Sequence, residues 1–139
     1  MSDLNRRFVL RITPRTKKNS QEIRRRRDGT AFVSPSSAYQ RWEQTVAEVL
    51  AILNRGTKPI TEPVNLREVI YMPTARRVDQ TNLMEAVDDA LVKAGVIADD
   101  CTKIVAGHEG SCVRIDRKDP RIEITITPAE AWQIFREIP

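Results

Sequence analysis

The chain has 139 residues, 40% of them apolar and 30% charged, with a net charge of +4 and a pI near 9.4. That size predicts one domain, residues 1–139, with a modest core, and the basic balance favours an acidic partner. No run approaches the roughly eighteen apolar residues of a membrane span, and Phe8 to Ile12 is broken by Arg11, so neither membrane insertion nor a signal peptide is expected and a cytoplasmic location is.

Residues 7–13 have the β-branched and apolar content of a first strand, stopped by Pro14. A polar, basic loop is expected through Ser20. Residues 22–33 predict a hairpin turning at Asp28-Gly29. Past Pro35, with Ser34 or Ser36 as N-cap, a helix places Tyr39, Trp42, Val46, Val49, Leu50 and Leu53 on one apolar face and ends near Asn54-Arg55-Gly56. Residues 64–72 predict a strand, suited to the centre of a sheet and closed by Pro73. A second helix is predicted from about Gln80 to Ala94, with Gly95 just past its end. Two more strands are expected near 103–106 and across Arg121 to Thr127, joined through a glycine-containing turn. The end, Pro128 to Ile138, predicts a short helix with Trp132 and Phe135 packing back. These elements predict an α+β (mixed α/β) domain: a small mixed sheet, two principal helices and a short C-terminal helix.

Cys101 and Cys112 are the only cysteines and are expected to be reduced in that compartment. His108 is the only histidine. One imidazole excludes histidine-rich zinc sites, His–Asn–His nucleases and double-histidine phosphodiesterases. His108 itself reads as a turn residue beside Gly107 and Gly110 rather than a catalytic one.

Residues 79–100 form an acidic segment in a basic chain: Asp79, Glu85, Asp88, Asp89, Asp99 and Asp100 stand against Lys93 alone. A helical wheel puts Leu83, Ala86, Val87, Ala90 and Leu91 on one side and Thr81, Asn82, Glu85, Asp88, Asp89 and Lys93 on the other. A solvated face explains most such patterns, and Asp79 suits an N-cap that accepts backbone N–H groups. Yet Glu85, Asp88 and Asp89 repel one another, and a chain reversing after Gly95 would return Asp99-Asp100 towards that face. Carboxylates gathered from separate elements make the oxygen-rich cluster that Mg2+ or Mn2+ takes.

The first thirty residues are the reverse, and Arg24, Arg25, Arg26 and Arg27 follow Lys17 and Lys18 closely. They read either as a solvated loop or as a phosphate-binding arm. Aromatics are only 5% of the chain and fall at core-like spacings, so backbone and shape recognition of DNA fits better than base stacking.

These residues resemble the RusA-type endodeoxyribonucleases, which resolve Holliday junctions and are often encoded by phages and prophages. The resemblance rests on Arg-Arg-Val-Asp-Gln-Thr-Asn-Leu at 76–83, Asp-Ala-Leu-Val-Lys-Ala-Gly-Val at 89–96 and Asp-Asp at 99–100. It extends to Asn19-Ser20, to Phe32-Val33-Ser34 with Tyr39, and to the closing run 120–126. The resemblance implies a homodimer that nicks symmetrically related strands of a four-way junction, dependent on Mg2+ or Mn2+. It implies metal ligands at Asp79 and Asp100, with Asp99 adjacent and Asn82 and Asp89 in the motif helix. Two positions depart from the family pattern: Thr81 replaces an aspartate, and Glu85 replaces a lysine. Thr81 and Glu85 are one turn apart, so we expect a compensated swap in which Glu85 supplies the missing carboxylate and Arg76 or Arg77 the missing cation.

The leading expectation is a structure-selective endonuclease with Asp79, Glu85 and Asp100 as catalytic metal ligands and Asp99 as a further one. Thr81, Asn82 and Asp89 would support them. Lys17, Lys18, Arg24, Arg25, Arg26, Arg27, Arg76 and Arg77 would bind DNA. The alternative is a non-catalytic junction-binding protein that lost metal affinity at Thr81. A nucleotide-metabolising enzyme has little support, as there is no Gly-rich phosphate loop.

Overall fold

The computed structural model describes residues 4–17 and 21–139, so Lys18, Asn19 and Ser20 lie outside the described residues. Strands β1 (Arg6–Leu10), β4 (Val64–Met72), β5 (Val105–Gly107), β6 (Cys112–Ile115) and β7 (Arg121–Pro128) form one mixed sheet. Strand β7 lies antiparallel between β1 and β4, while β5 and β6 both run parallel to β4 on its other side. Strand β4 is therefore the structural centre, as its apolar run predicts. The short β6 went unread in the sequence because Cys112–Ile115 is brief and partly exposed.

Alternation along β7 buries Ile122, Ile124 and Ile126 on the inner face. Along β4 the same period buries Val64, Leu66 and Ile70, and with them Glu68. The inner face is covered by α1 (Ser37–Leu53) and α2 (Gln80–Lys93), which contribute Tyr39, Trp42, Val46, Leu50, Leu83, Val87 and Leu91 to the core. Helix α1 starts at Ser36, whose hydroxyl accepts from Tyr39 N at 3.1 Å, and ends at Asn54. The indole of Trp42 donates to Thr13 O at 2.8 Å and ties α1 to the chain leaving β1.

Helix α2 is the crossover between parallel β4 and β5, the connection that parallel pairing demands. Gly95, at φ +75°, takes the left-handed conformation that lets the chain reverse. Ile60 N and O then bond Val96 O and Ala98 N, at 3.0 and 2.9 Å, which fixes the course of the returning segment.

Strands β2 (Gln21–Arg25) and β3 (Ala31–Pro35) form a separate antiparallel hairpin. Its turn lies at Asp28-Gly29, with Gly29 at φ +91° and Asp28 Oδ1 accepting from Thr30 N at 2.9 Å. The C-terminal helix is a single 3-10 turn, Ala131–Gln133. Trp132 and Phe135 do not pack back as expected; they are 70% and 64% exposed. Among the described residues, no helix is long and apolar enough to cross a membrane.

Candidate functional site

Asp79 is the N-cap residue of α2, but its side chain makes no capping bond to the helix N–H groups; it accepts instead from Asn82 Nδ2 at 3.4 Å. The expected capping role is thus not taken up, and the Asp79 carboxylate stays exposed at the helix start. Around that start an open cleft is lined by Arg15, Thr16, Thr74, Arg76, Arg77 and Val78, among others. Three guanidinium groups beside a helix N-terminus favour an anion such as phosphate.

Further along α2, Glu85 is exposed and Asp89 half-buried. Burial raises the pKa of Asp89, the Lys17 ammonium opposes that shift, and the charges of Glu85 and Asp100 add to it. The charge of Asp100, beyond the turn at Gly95, is thus felt at Asp89 on α2. Lys17 Nζ reaches Asp89 Oδ2 at 3.3 Å. Asp99 Oδ1 accepts from Asp100 N at 2.8 Å, so one Asp99 oxygen holds the turn. On the neighbouring helix, Tyr39 donates to Glu43 Oε2 at 3.1 Å, and Lys93 donates to Glu43 Oε1 at 3.4 Å. Burial first, then the Glu43 charge, keeps the Tyr39 hydroxyl protonated.

Asp79 stands at the start of α2, beside Arg76, Arg77 and Val78 of the cleft, and Glu85 and Asp89 lie further along the helix. Ten residues of α-helix separate Asp79 from Asp89, about 15 Å of rise, and Glu85 lies between them. Among the described residues, Asp79, Glu85, Asp99 and Asp100 yield no set of three whose ligand atoms lie within 4.8 Å of one another. Thr81 is exposed.

Such a set does exist deeper in the molecule, in Glu68, Asp88 and His108. His108 Nε2 stands 2.7 Å from Asp88 Oδ2 and 4.0 Å from Glu68 Oε2. Glu68 is fully buried in β4, and Asp88 is 7% exposed. Both Glu68 oxygens and Asp88 Oδ1 are buried without a hydrogen-bond partner. Burial above all, then a hydrogen bond to Asp88 and the Asp88 charge, raises the Glu68 pKa well above its ordinary value, which favours its neutral acid form.

Two sequence readings are corrected here. Asp88 does not belong to the solvated face of α2; it turns inward between Met84 and Leu91, one turn away on either side. His108 is more than a turn residue, because the β5–β6 turn carries its ring onto Asp88. Glu68 was missed, although a signal exists. It falls in the apolar period Val64, Leu66, Ile70, where a charged side chain points into the core.

The basic hairpin presents Arg24, Arg25, Arg26 and Arg27 at the surface, all exposed. Strand alternation sends Arg24 and Arg25 to opposite faces: Arg24 Nη2 bonds Ser37 Oγ at 3.3 Å, while Arg25 Nη1 bonds Gly29 O at 3.3 Å. Arg26 lies over the Phe32 ring, 4.7 Å from its centre.

The family model for endodeoxyribonuclease RusA matches residues 12–127. The chain is 33% identical over 112 residues to the crossover junction endodeoxyribonuclease RusA of Escherichia coli K12, covering 78% of this chain and 85% of that protein. Proteins of the same name from Escherichia coli O1:K1 and from O6:H1 strain CFT073 match to the same extent.

Proposed function

The chain belongs to the RusA family of endodeoxyribonucleases, and from that premise we propose that it resolves four-way DNA junctions by paired symmetric nicks, as a homodimer using Mg2+ or Mn2+. All 139 residues would form one such unit. The observation that carries the reading is the match to the endodeoxyribonuclease RusA family model over residues 12–127, supported by the charges of Glu85 and Asp100 that both bear on Asp89.

The donor chemistry fits a hard divalent cation, since Asp79, Glu85, Asp99 and Asp100 offer exposed carboxylates and the Asp79 carboxylate is not engaged in capping. When bound, such a cation supplies positive charge at the scissile phosphoryl group and eases attack by water. Glu85, between Asp79 and Asp89 on the helix, is suited to the role that Thr81 cannot fill. Asn82 orients Asp79 through its amide, and Asp89 is held by Lys17. The cleft arginines Arg15, Arg76 and Arg77 grip backbone phosphate beside the helix start, and Arg24 to Arg27 with Lys17 and Lys18 hold the junction arms. Two-fold pairing of protomers suits two symmetry-related nicks.

The direct test is incubation with a four-way junction and with linear duplex, each with and without Mg2+ or Mn2+. Symmetric, metal-dependent nicks in the junction alone are expected. One observation favours a second reading, a junction-binding protein without catalysis: the outer carboxylates do not converge within 4.8 Å, and Thr81 lacks a carboxylate. That reading predicts junction binding with no Mg2+ or Mn2+ uptake by calorimetry.

A further inference from the structure

We propose that Glu68, Asp88 and His108 hold one first-row divalent transition-metal ion, Zn2+ by their donor set, in a buried clamp that shares no residue with the outer acidic groups. The three side chains come from β4, α2 and the β5–β6 turn, so one ion would join the central strand, the crossover helix and the turn. Two carboxylates and a neutral imidazole sum to −2, which a dication cancels. Three oxygens buried without partners mark a polar site that the protein by itself leaves unsatisfied. Ionised carboxylates so deeply buried are costly without a counter-charge, and coordination to a dication supplies one.

The geometry is close to what an ion needs. All three ligand atoms lie within 4.8 Å of one another. Tetrahedral ligands about 2.0–2.2 Å from a zinc ion stand roughly 3.3–3.6 Å apart, so the 2.7 Å His108–Asp88 pair would open and the 4.0 Å His108–Glu68 pair would close, each by under an ångström. The supporting groups are held by hydrogen bonds. Ser111 Oγ accepts from Glu68 N at 2.9 Å and donates to Leu66 O at 3.2 Å. Asn65 accepts from Glu109 N at 2.8 Å and donates to Glu109 O at 3.0 Å, pinning the residue next to His108. The His108 side chain is 26% exposed, which leaves a route in for the ion and room for water as a fourth ligand. An imidazole in so confined a site favours Zn2+, Mn2+ or Co2+ over Mg2+, which prefers oxygen ligands and keeps its waters.

The test uses metal-stripped full-length protein carrying Cys101→Ser, which removes an exposed thiol, in excess Mg2+ so that outer carboxylates are saturated. Calorimetry with Zn2+ should give one ion per chain, and Zn2+ should raise the unfolding temperature. Glu68→Gln and His108→Ala should each weaken Zn2+ at least tenfold and abolish the temperature rise, whereas Asp79→Ala and Asp100→Ala should keep both. Because His108 is partly exposed, its variant should fold and decides the matter even if Glu68→Gln does not. No Zn2+ uptake, uptake retained without His108, or loss that follows Asp100 instead would each overturn the clamp. None of these outcomes depends on junction cleavage, so the nuclease reading stands or falls separately.

Discussion

Lys17 Nζ lies 3.3 Å from Asp89 Oδ2 and ties the basic N-terminal segment to the acidic crossover helix. Both partners are about one-third exposed, so the pair contributes at most about 1 kcal/mol to stability. Its larger consequence is electrostatic, because Lys17 is the cation that offsets the burial of Asp89. Lys17→Ala should leave the unfolding temperature nearly unchanged. Junction affinity should fall, and the slope of log K against log salt should shrink by about 0.9, as read by electrophoretic shift over a salt series.

Asp100→Ala should reduce metal-dependent nicking by roughly a hundredfold or more, in line with loss of a transition-state charge interaction. Junction binding should persist or tighten, since one negative charge facing phosphate is gone. Nicking assays beside binding isotherms separate the two effects. Loss of binding would count against Asp100 as a metal ligand.

Glu85→Ala bears on the swap expected from the sequence. If Glu85 supplies what Thr81 lacks, the variant loses Mg2+-dependent cleavage, and Glu85→Ala with Thr81→Asp recovers part of it. Full activity in Glu85→Ala would falsify the compensation.

Glu68 makes the metal-free protein pH-sensitive. Its folded pKa is raised above the ordinary 4.5, so the native state holds a proton that the unfolded chain releases. The stability from that proton is complete below about pH 4.5 and is lost as pH rises towards the folded value. Denaturant titrations of stripped protein should therefore show this component declining upwards from pH 4.5. Glu68→Gln should remove the decline and be at least as stable as the parent at neutral pH.

Gly95→Ala places a side chain at φ +75°, where a Cβ is strained, and should cost about 1 kcal/mol. Because the turn at Gly95 directs Asp99 and Asp100 back to α2, nicking should fall more than the stability loss accounts for. Thermal unfolding and nicking rates on one preparation check this.

The local elements were legible because their causes are local. A serine N-cap at Ser34 or Ser36 (Ser36 in the structure), the α1 apolar face, the Asp28-Gly29 turn and the strand over 121–127 each need only a few neighbouring residues. The residues at 76–83, 89–96 and 99–100, with their spacing, also carried the family resemblance. The C-terminal tail defeated the same method, since the apolar Trp132 and Phe135 announce burial but stay exposed among the described residues.

The sequence by itself determined an α+β domain with a small mixed sheet and two principal helices, the family resemblance, and the acidic and basic segments. Only the tertiary structure decided which charges meet. Glu68, Asp88 and His108 are twenty residues apart in turn, and although Glu68 interrupts an apolar period, nothing in any one window points to the other two. They converge because β5 and β6 pair parallel to β4 while α2 crosses over the same face. Periodicity fixes which way a side chain points along its own element. What it meets there depends on strands and helices packed from distant parts of the chain.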